Sequence, residues 1–268
     1  MTFSLGKINL KIRPIAELRP HEETVNSISE RVCRSLVRDG VQRDPIVLDE
    51  KSGTILDGAH RVEALKKAGA QCVLAYLLDY KDPRVQLYRW YRLVRKPSSD
   101  CAREIIAELN LETLGPLEST GLSAAPNMMV LVMHQGDAFG RRTASVEENT
   151  GAMRRFDRAA AARGLRVEFV DEGSAADGLI NENDLTLVPP RFSKEDVLEA
   201  GANGKLFPPK STLHVFPFRP LGVRYPLEEL RAGRDILETV LKSRRPRLVD
   251  PSSSHLGRDY REAIVVFD

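Results

Sequence analysis

The feature that most restricts the fold is a stretch where strand, glycine turn and helix follow one another directly. Thr54-Ile55-Leu56 reads as a strand and Asp57-Gly58 ends it. Val62-Glu63-Ala64-Leu65-Lys66-Lys67-Ala68 then repeats at helical spacing until Gly69 stops it. A helix entered from a glycine corner exposes backbone N–H groups that have no partner within the helix, at the positive end of its dipole. Such a corner attracts anions. Gly58 and Ala59 allow phosphate oxygens close to the backbone, and His60 and Arg61 add donors. Asp57 is the odd member, because an unshielded carboxylate repels phosphate; it makes sense as a partner for a metal such as Mg2+ or as a base. Taken alone, a D-G-x-x-R string is common, with the aspartate capping the helix and the arginine solvated.

The flanking text fits a compact α/β lobe. Residues 8–18 alternate weakly and lead to the turn Arg19-Pro20-His21-Glu22. Ile28, Val32, Cys33 and Leu36 share a helical stripe ahead of Gly40, Pro45-Ile46-Val47-Leu48 is a buried strand, and Cys72–Leu78 is another. Residues 96–126, with Lys96-Pro97-Ser98-Ser99 and Gly115-Pro116, read as a linker carrying one amphipathic helix. Beyond it a second α/β lobe is expected: an apolar strand Met128–Met133, a helix near Thr150–Arg163, a strand Val167–Val170 and Pro-rich connections. The expected organisation is a two-lobed α/β (α+β) protein with a cleft, its domains at 1–95 and 127–268.

Composition narrows the partners. Lys plus Arg number 40 against 38 Asp plus Glu, so a net charge of +2 supplies no global field for nucleic acid. Arg244-Arg245-Pro246-Arg247 is a local basic run that reads as solvated surface. No apolar run is long enough to span a bilayer and the first residues lack a signal-peptide pattern, so a cytoplasmic protein is expected. Three scattered cysteines argue against a disulfide framework or a zinc knuckle.

The run from Leu18-Arg19-Pro20-His21-Glu22 through Asp57-Gly58-Ala59-His60-Arg61 to Gly69 resembles the ParB/sulfiredoxin superfamily, and more narrowly its free serine kinases. The resemblance extends to His134-Gln135-Gly136-Asp137 and to Phe207-Pro208-Pro209-Lys210-Ser211-Thr212-Leu213-His214 with Arg219. It implies a nucleotide-binding first lobe, ATP or ADP as donor with Mg2+, and a small hydroxy amino acid such as serine as acceptor. Glu22 then matches the catalytic glutamate, with Glu23 its rival on spacing alone. Gly58, Ala59, His60 and Arg61 hold phosphate, and Asp57 holds Mg2+ or orients the acceptor. Trp90, Lys210, Ser211, Thr212, His214 and Arg219 line the substrate side, although Trp90 also reads as a core anchor.

Within the superfamily the loop discriminates. Sulfiredoxins place a cysteine between the glycine and the histidine, where this chain has Ala59. The chromosome-partitioning members bind CTP through a Gly-Glu-Arg-Arg loop and follow it with a helix-turn-helix, and neither feature is found here. A regulator that senses nucleotide or metabolite and binds DNA or protein without catalysis is the competing reading.

Overall fold

The computed structural model describes residues 8–116, 128–132, 136–174, 180–249 and 260–268. The chain divides into two compact units. The first joins residues up to Gln86 with Val197–Pro209 and His214–Asp268, and the second joins Leu87–Asp196 with Lys210–Leu213. This differs from the boundaries read from sequence: the last fifth of the chain packs into the first unit. Its strands form a three-stranded sheet of their own and pair with the strand Val41–Gln42 of the first unit, through contacts that sequence proximity does not signal.

The first unit begins with β1 (Leu10–Pro14), α1 (Asn26–Asp39), β2 (Val41–Gln42), β3 (Ile46–Asp49), β4 (Ile55–Asp57), α2 (Ala59–Lys67) and β5 (Cys72–Leu78). A four-stranded sheet runs in the order β1-β5-β3-β4, with β3 and β5 parallel and the other pairs antiparallel. Strand β1 lies at the edge, which is where Pro14 costs no ladder hydrogen bond. β3 is buried along its whole length and α2 buries Val62, Ala64 and Leu65, so strand and helix share one core. Gly40 ends α1 in the left-handed conformation, as its place in the sequence suggests.

The second unit contains β6 (Gln86–Val94), α3 (Ser99–Glu108), β7 (Glu112–Pro116), β8 (Met128–Val132), β9 (Asp137–Arg142), α4 (Val146–Ala162), β10 (Glu168–Asp171), a single turn α5 (Glu172–Ser174) and β11 (Leu185–Val188). Its strands follow the order β10-β6-β11-β8-β9-β7. The stretch read as a linker is built into this unit: β7 pairs with β9, and Ser98 caps α3 by accepting the Cys101 N–H at 3.3 Å. Residues 117–126 of that stretch lie outside the described residues, as do Asn127, Met133, His134 and Gln135.

The chain then forms α6 (Lys194–Asn203), β12 (Thr212–Val215), β13 (Phe218–Leu221), β14 (Tyr225–Pro226), α7 (Leu227–Arg231), α8 (Leu237–Lys242), β15 (Pro246–Val249) and β16 (Ala263–Phe267). β16 lies between β13, parallel to it, and β15, antiparallel. β14 pairs with β2, and Arg231 Nε donates to the Ala68 carbonyl at the end of α2. Gly201 of α6 meets Thr54 so closely that a Cβ there would lie 2.8 Å from Thr54 Oγ1. Among the described residues no helix is long and apolar enough to cross a membrane.

Gln42 stitches this unit together. Fully buried, it donates to the Leu74 carbonyl at 2.8 Å and accepts the Leu74 N–H at 2.8 Å, serving β5 just before β3 begins to pair with it. Gln42→Leu strands both backbone groups and is expected to lower unfolding free energy by roughly 2–4 kcal/mol in urea titrations. A change below about 0.5 kcal/mol contradicts this assignment.

Candidate active site

The corner forms as its residues suggest. Gly58 holds φ +99°, a conformation that side chains resist, and precedes the first residue of α2. A Cβ at Gly58 would sit 2.7 Å from Ile46 Cγ2 and 3.1 Å from the Arg61 guanidinium. Glycine is therefore required on two counts, and the helix starts at Ala59, slightly earlier than its hydrophobic spacing indicates.

The stretch 21–25 is tied to this corner at both ends. His21 is buried and its Nδ1 donates to the Ile55 carbonyl at 2.6 Å. The Val25 N–H donates to His60 Nε2 at 3.0 Å. Arg19 exchanges backbone bonds with Gly53 and Ile55, Phe207 N–H donates to the His21 carbonyl, and the Glu23 N–H donates to the Phe207 carbonyl. Residues 21–25 thus run beside 55–60, which brings Glu22 into the neighbourhood of Asp57, Gly58 and Ala59. The Glu22 side chain is 17% exposed, with Oε2 3.9 Å from His21 Nε2. Burial pushes the His21 imidazole below its ordinary value, against the pull of Glu22 and of the Ile55 carbonyl. His60 accepts at Nε2, so Nδ1 is the nitrogen that bears the proton on the neutral ring.

Asp57 is not an isolated carboxylate. Its Oδ2 accepts from Arg61 at 3.1 Å and from Arg219 at 2.5 Å. Arg61 also donates to the carbonyls of Asp44 and Pro45 at 2.9 and 2.7 Å, so part of its guanidinium braces the entry to β3. Arg219 is buried, gives its Nε to Glu262 at 2.6 Å and lies over the Phe216 ring at 5.0 Å. Burial opposes its charge, but Asp57 and Glu262 together hold it above the ordinary arginine value. The sequence reading gives Arg219 to a substrate carboxylate; in the structure its Nε and Nη1 meet two carboxylates of the protein, Glu262 and Asp57. His214 is also buried, with Nε2 2.8 Å from the Tyr80 hydroxyl and its ring edge-on to His21.

The remaining substrate-side residues lie in the second unit. Trp90 is half-buried and its Nε1 donates to the Thr212 carbonyl at 3.1 Å, while Lys210 Nζ stands 4.1 Å over its ring. Ser211 is fully buried. Of the six substrate-side residues, Trp90, Lys210 and Thr212 are thus brought together, whereas His214 and Arg219 belong to the first unit. Tyr80 and Glu262 were not singled out from the sequence, and no local motif marks either; Phe207 opens the motif read from the sequence, but its backbone pairing with residues 21–23 was not foreseen.

Among the described residues no three His, Cys, Asp or Glu side chains gather as a metal site. Asp57 is a poor sole ligand, since two guanidinium groups already hold its Oδ2. Magnesium commonly binds through substrate phosphates with one or two carboxylates, so it fits this chain as a companion of a nucleotide. A cavity of about 190 Å³ adjoins Arg61, lined among others by Val32, Leu36 and Val41 with Ser35, Asp39 and Asp44.

The chain is similar to the ADP-dependent L-serine kinase SerK of Thermococcus kodakarensis, at 25% identity over 231 residues, 84% of this chain and 94% of that protein. It is also similar to an ATP-dependent L-serine kinase of Staphylothermus marinus, at 22% over 231 residues, 81% and 89% of the two chains. A ParB-like protein of Sulfolobus acidocaldarius is 26% identical over 204 residues, 75% and 88% of the two chains. Among solved structures, a free serine kinase in complex with AMP superposes with a TM-score of 0.68 at 25% identity, over 83% of this chain and 94% of the other. No family profile matches the chain. The resemblance carried by the motifs, and the mixed α/β fold it implies, are borne out.

The displaced His21 imidazole makes a pH prediction. A folded-state value below the unfolded 6.5 gives stability that is fully present above pH 6.5 and is lost as pH falls, because the unfolded chain binds the proton first. Thermal melts from pH 8 to pH 5 are expected to show this acid-side loss, with a shallower slope in His21→Gln. An identical slope in the variant contradicts the assignment.

Proposed function

From this kinship with free serine kinases we propose that the chain transfers a phosphoryl group from a nucleotide to the hydroxyl of free L-serine, forming O-phosphoserine. The observation that supports the reading is the tethering of residues 21–25 beside 55–60, which holds the segment carrying Glu22 alongside the glycine corner at the helix start. A serine hydroxyl is too weak an acid to ionise at rest, so a positioned acceptor has to take its proton as the new bond forms.

In this reading the nucleotide's terminal phosphates lie at the backbone N–H groups of Ala59, His60 and Arg61. His60, with its proton on Nδ1, is a neutral donor suited to an oxygen of the transferred group. The serine oxygen bonds to the terminal phosphorus as the bond to the nucleotide's bridging oxygen breaks, and Glu22 accepts the hydroxyl proton. Glu22 is preferred to Glu23 in that role because the resemblance places the catalytic glutamate directly after the histidine. Magnesium, carried in with the nucleotide, supplies charge neutralisation on the phosphates. The cavity beside Arg61 is of a size for the nucleobase, with apolar side chains for its faces and carboxylates for its exocyclic amine.

In the second unit, Lys210, Thr212 and Trp90 form a cluster suited to an amino acid's carboxylate and backbone. The relatives include both ADP- and ATP-dependent enzymes, so both nucleotides are candidates for the donor.

Purified protein with L-serine, Mg2+ and either ADP or ATP is expected to yield O-phosphoserine, detected by mass spectrometry. Glu22→Gln is expected to keep nucleotide affinity within about twofold while losing at least roughly 100-fold in kcat, the usual scale of a general base. Parental turnover in that variant removes Glu22 from the mechanism, and nucleotide binding without product from serine rejects the acceptor.

A further inference from the structure

The corner poses an electrostatic problem that the kinase reading leaves open: a carboxylate stands at the entrance to a site meant for phosphates. Unit charges a few ångströms apart repel strongly wherever water is partly excluded. Asp57, 31% exposed, is therefore a barrier to a polyphosphate unless its charge is cancelled. Arg61 and Arg219 both reach its Oδ2. Arg61 comes from the same helix, four residues on, and divides its donors between Asp57 and the carbonyls of Asp44 and Pro45. Arg219 approaches from β13 and is differently placed. It is 7% exposed, stacked on Phe216, and its Nε is taken by Glu262, which turns the terminal nitrogen toward Asp57.

We propose that Arg219, seated by Glu262, is a positioning residue that screens Asp57, so that the corner accepts a nucleotide's phosphates, and that it does not bind the substrate's carboxylate. The two carboxylates and two guanidinium groups form a neutral set, Asp57 and Glu262 against Arg61 and Arg219. Burial strengthens each of these interactions and makes the unpaired state of any member costly. This rests on the phosphate-corner reading, but it assigns Arg219 to the donor side, and the two roles make opposite demands on ligand binding.

The test is calorimetric titration of the full chain with ADP, with EDTA and again with Mg2+. Asp57→Asn leaves a net positive set and is expected to bind ADP more tightly, roughly tenfold in EDTA on simple charge grounds. Arg219→Gln is expected to weaken ADP binding, and the double variant with Asp57→Asn to restore it, since the charge needing a screen is gone. Weaker ADP binding in Asp57→Asn overturns the proposal and points to Asp57 as a ligand of metal or phosphate. An Arg219→Gln variant that raises KM for serine with unchanged ADP affinity also overturns it, returning Arg219 to the substrate. If Arg219→Gln does not fold, Asp57→Asn alone decides. These titrations need no turnover, so missing phosphoserine rejects the kinase reading and leaves the screen standing. A parent protein that binds neither ADP nor ATP overturns both.

Discussion

The pairing of Asp57 with two guanidinium groups is the interaction on which the candidate site depends. A glycine corner at a helix start favours anions wherever it occurs, yet here a carboxylate ends the strand that leads into it. Arg61 and Arg219 resolve the conflict by holding Asp57 as part of a neutral cluster. Only Arg61 is local. Arg219 lies 162 residues away and its second partner Glu262 lies near the C-terminus, so the corner is electrically complete only once the end of the chain has folded back.

Glu22 depends on a second set of long-range contacts. Its loop is fixed by the Ile55 carbonyl at one end, the His60 ring at the other and the Phe207 backbone between them. Each bond is worth only about 1 kcal/mol, but together they restrict where a carboxylate can stand. For a base whose acceptor has a high pKa, such restriction matters more than basicity, since orientation supplies much of the rate. The close approach of α6 to Thr54 leaves no room for a side chain at Gly201.

Much of the first unit was legible because its signals are local. Gly40, Gly58 and Gly69 mark ends and turns, and buried apolar runs mark β3 and β5. The stretch Lys96-Pro97-Ser98-Ser99 was misread as linker: the same Ser98 that suggests a loop is a helix cap, and only the packing of α3 on α4 and of β7 on β9 decides between them. The partners Tyr80 and Glu262 were illegible because a buried polar contact between distant segments leaves no periodic trace. Arg219 was noticed as a cation, but which anion it meets is a property of the fold.

The most direct measurement is a crystal structure of the protein with a nucleotide and L-serine. The account predicts phosphates at the backbone N–H groups of Ala59 to Arg61, with the serine hydroxyl between the terminal phosphate and the Glu22 carboxylate. Phosphates bound elsewhere, or a serine hydroxyl beyond reach of Glu22, would contradict it.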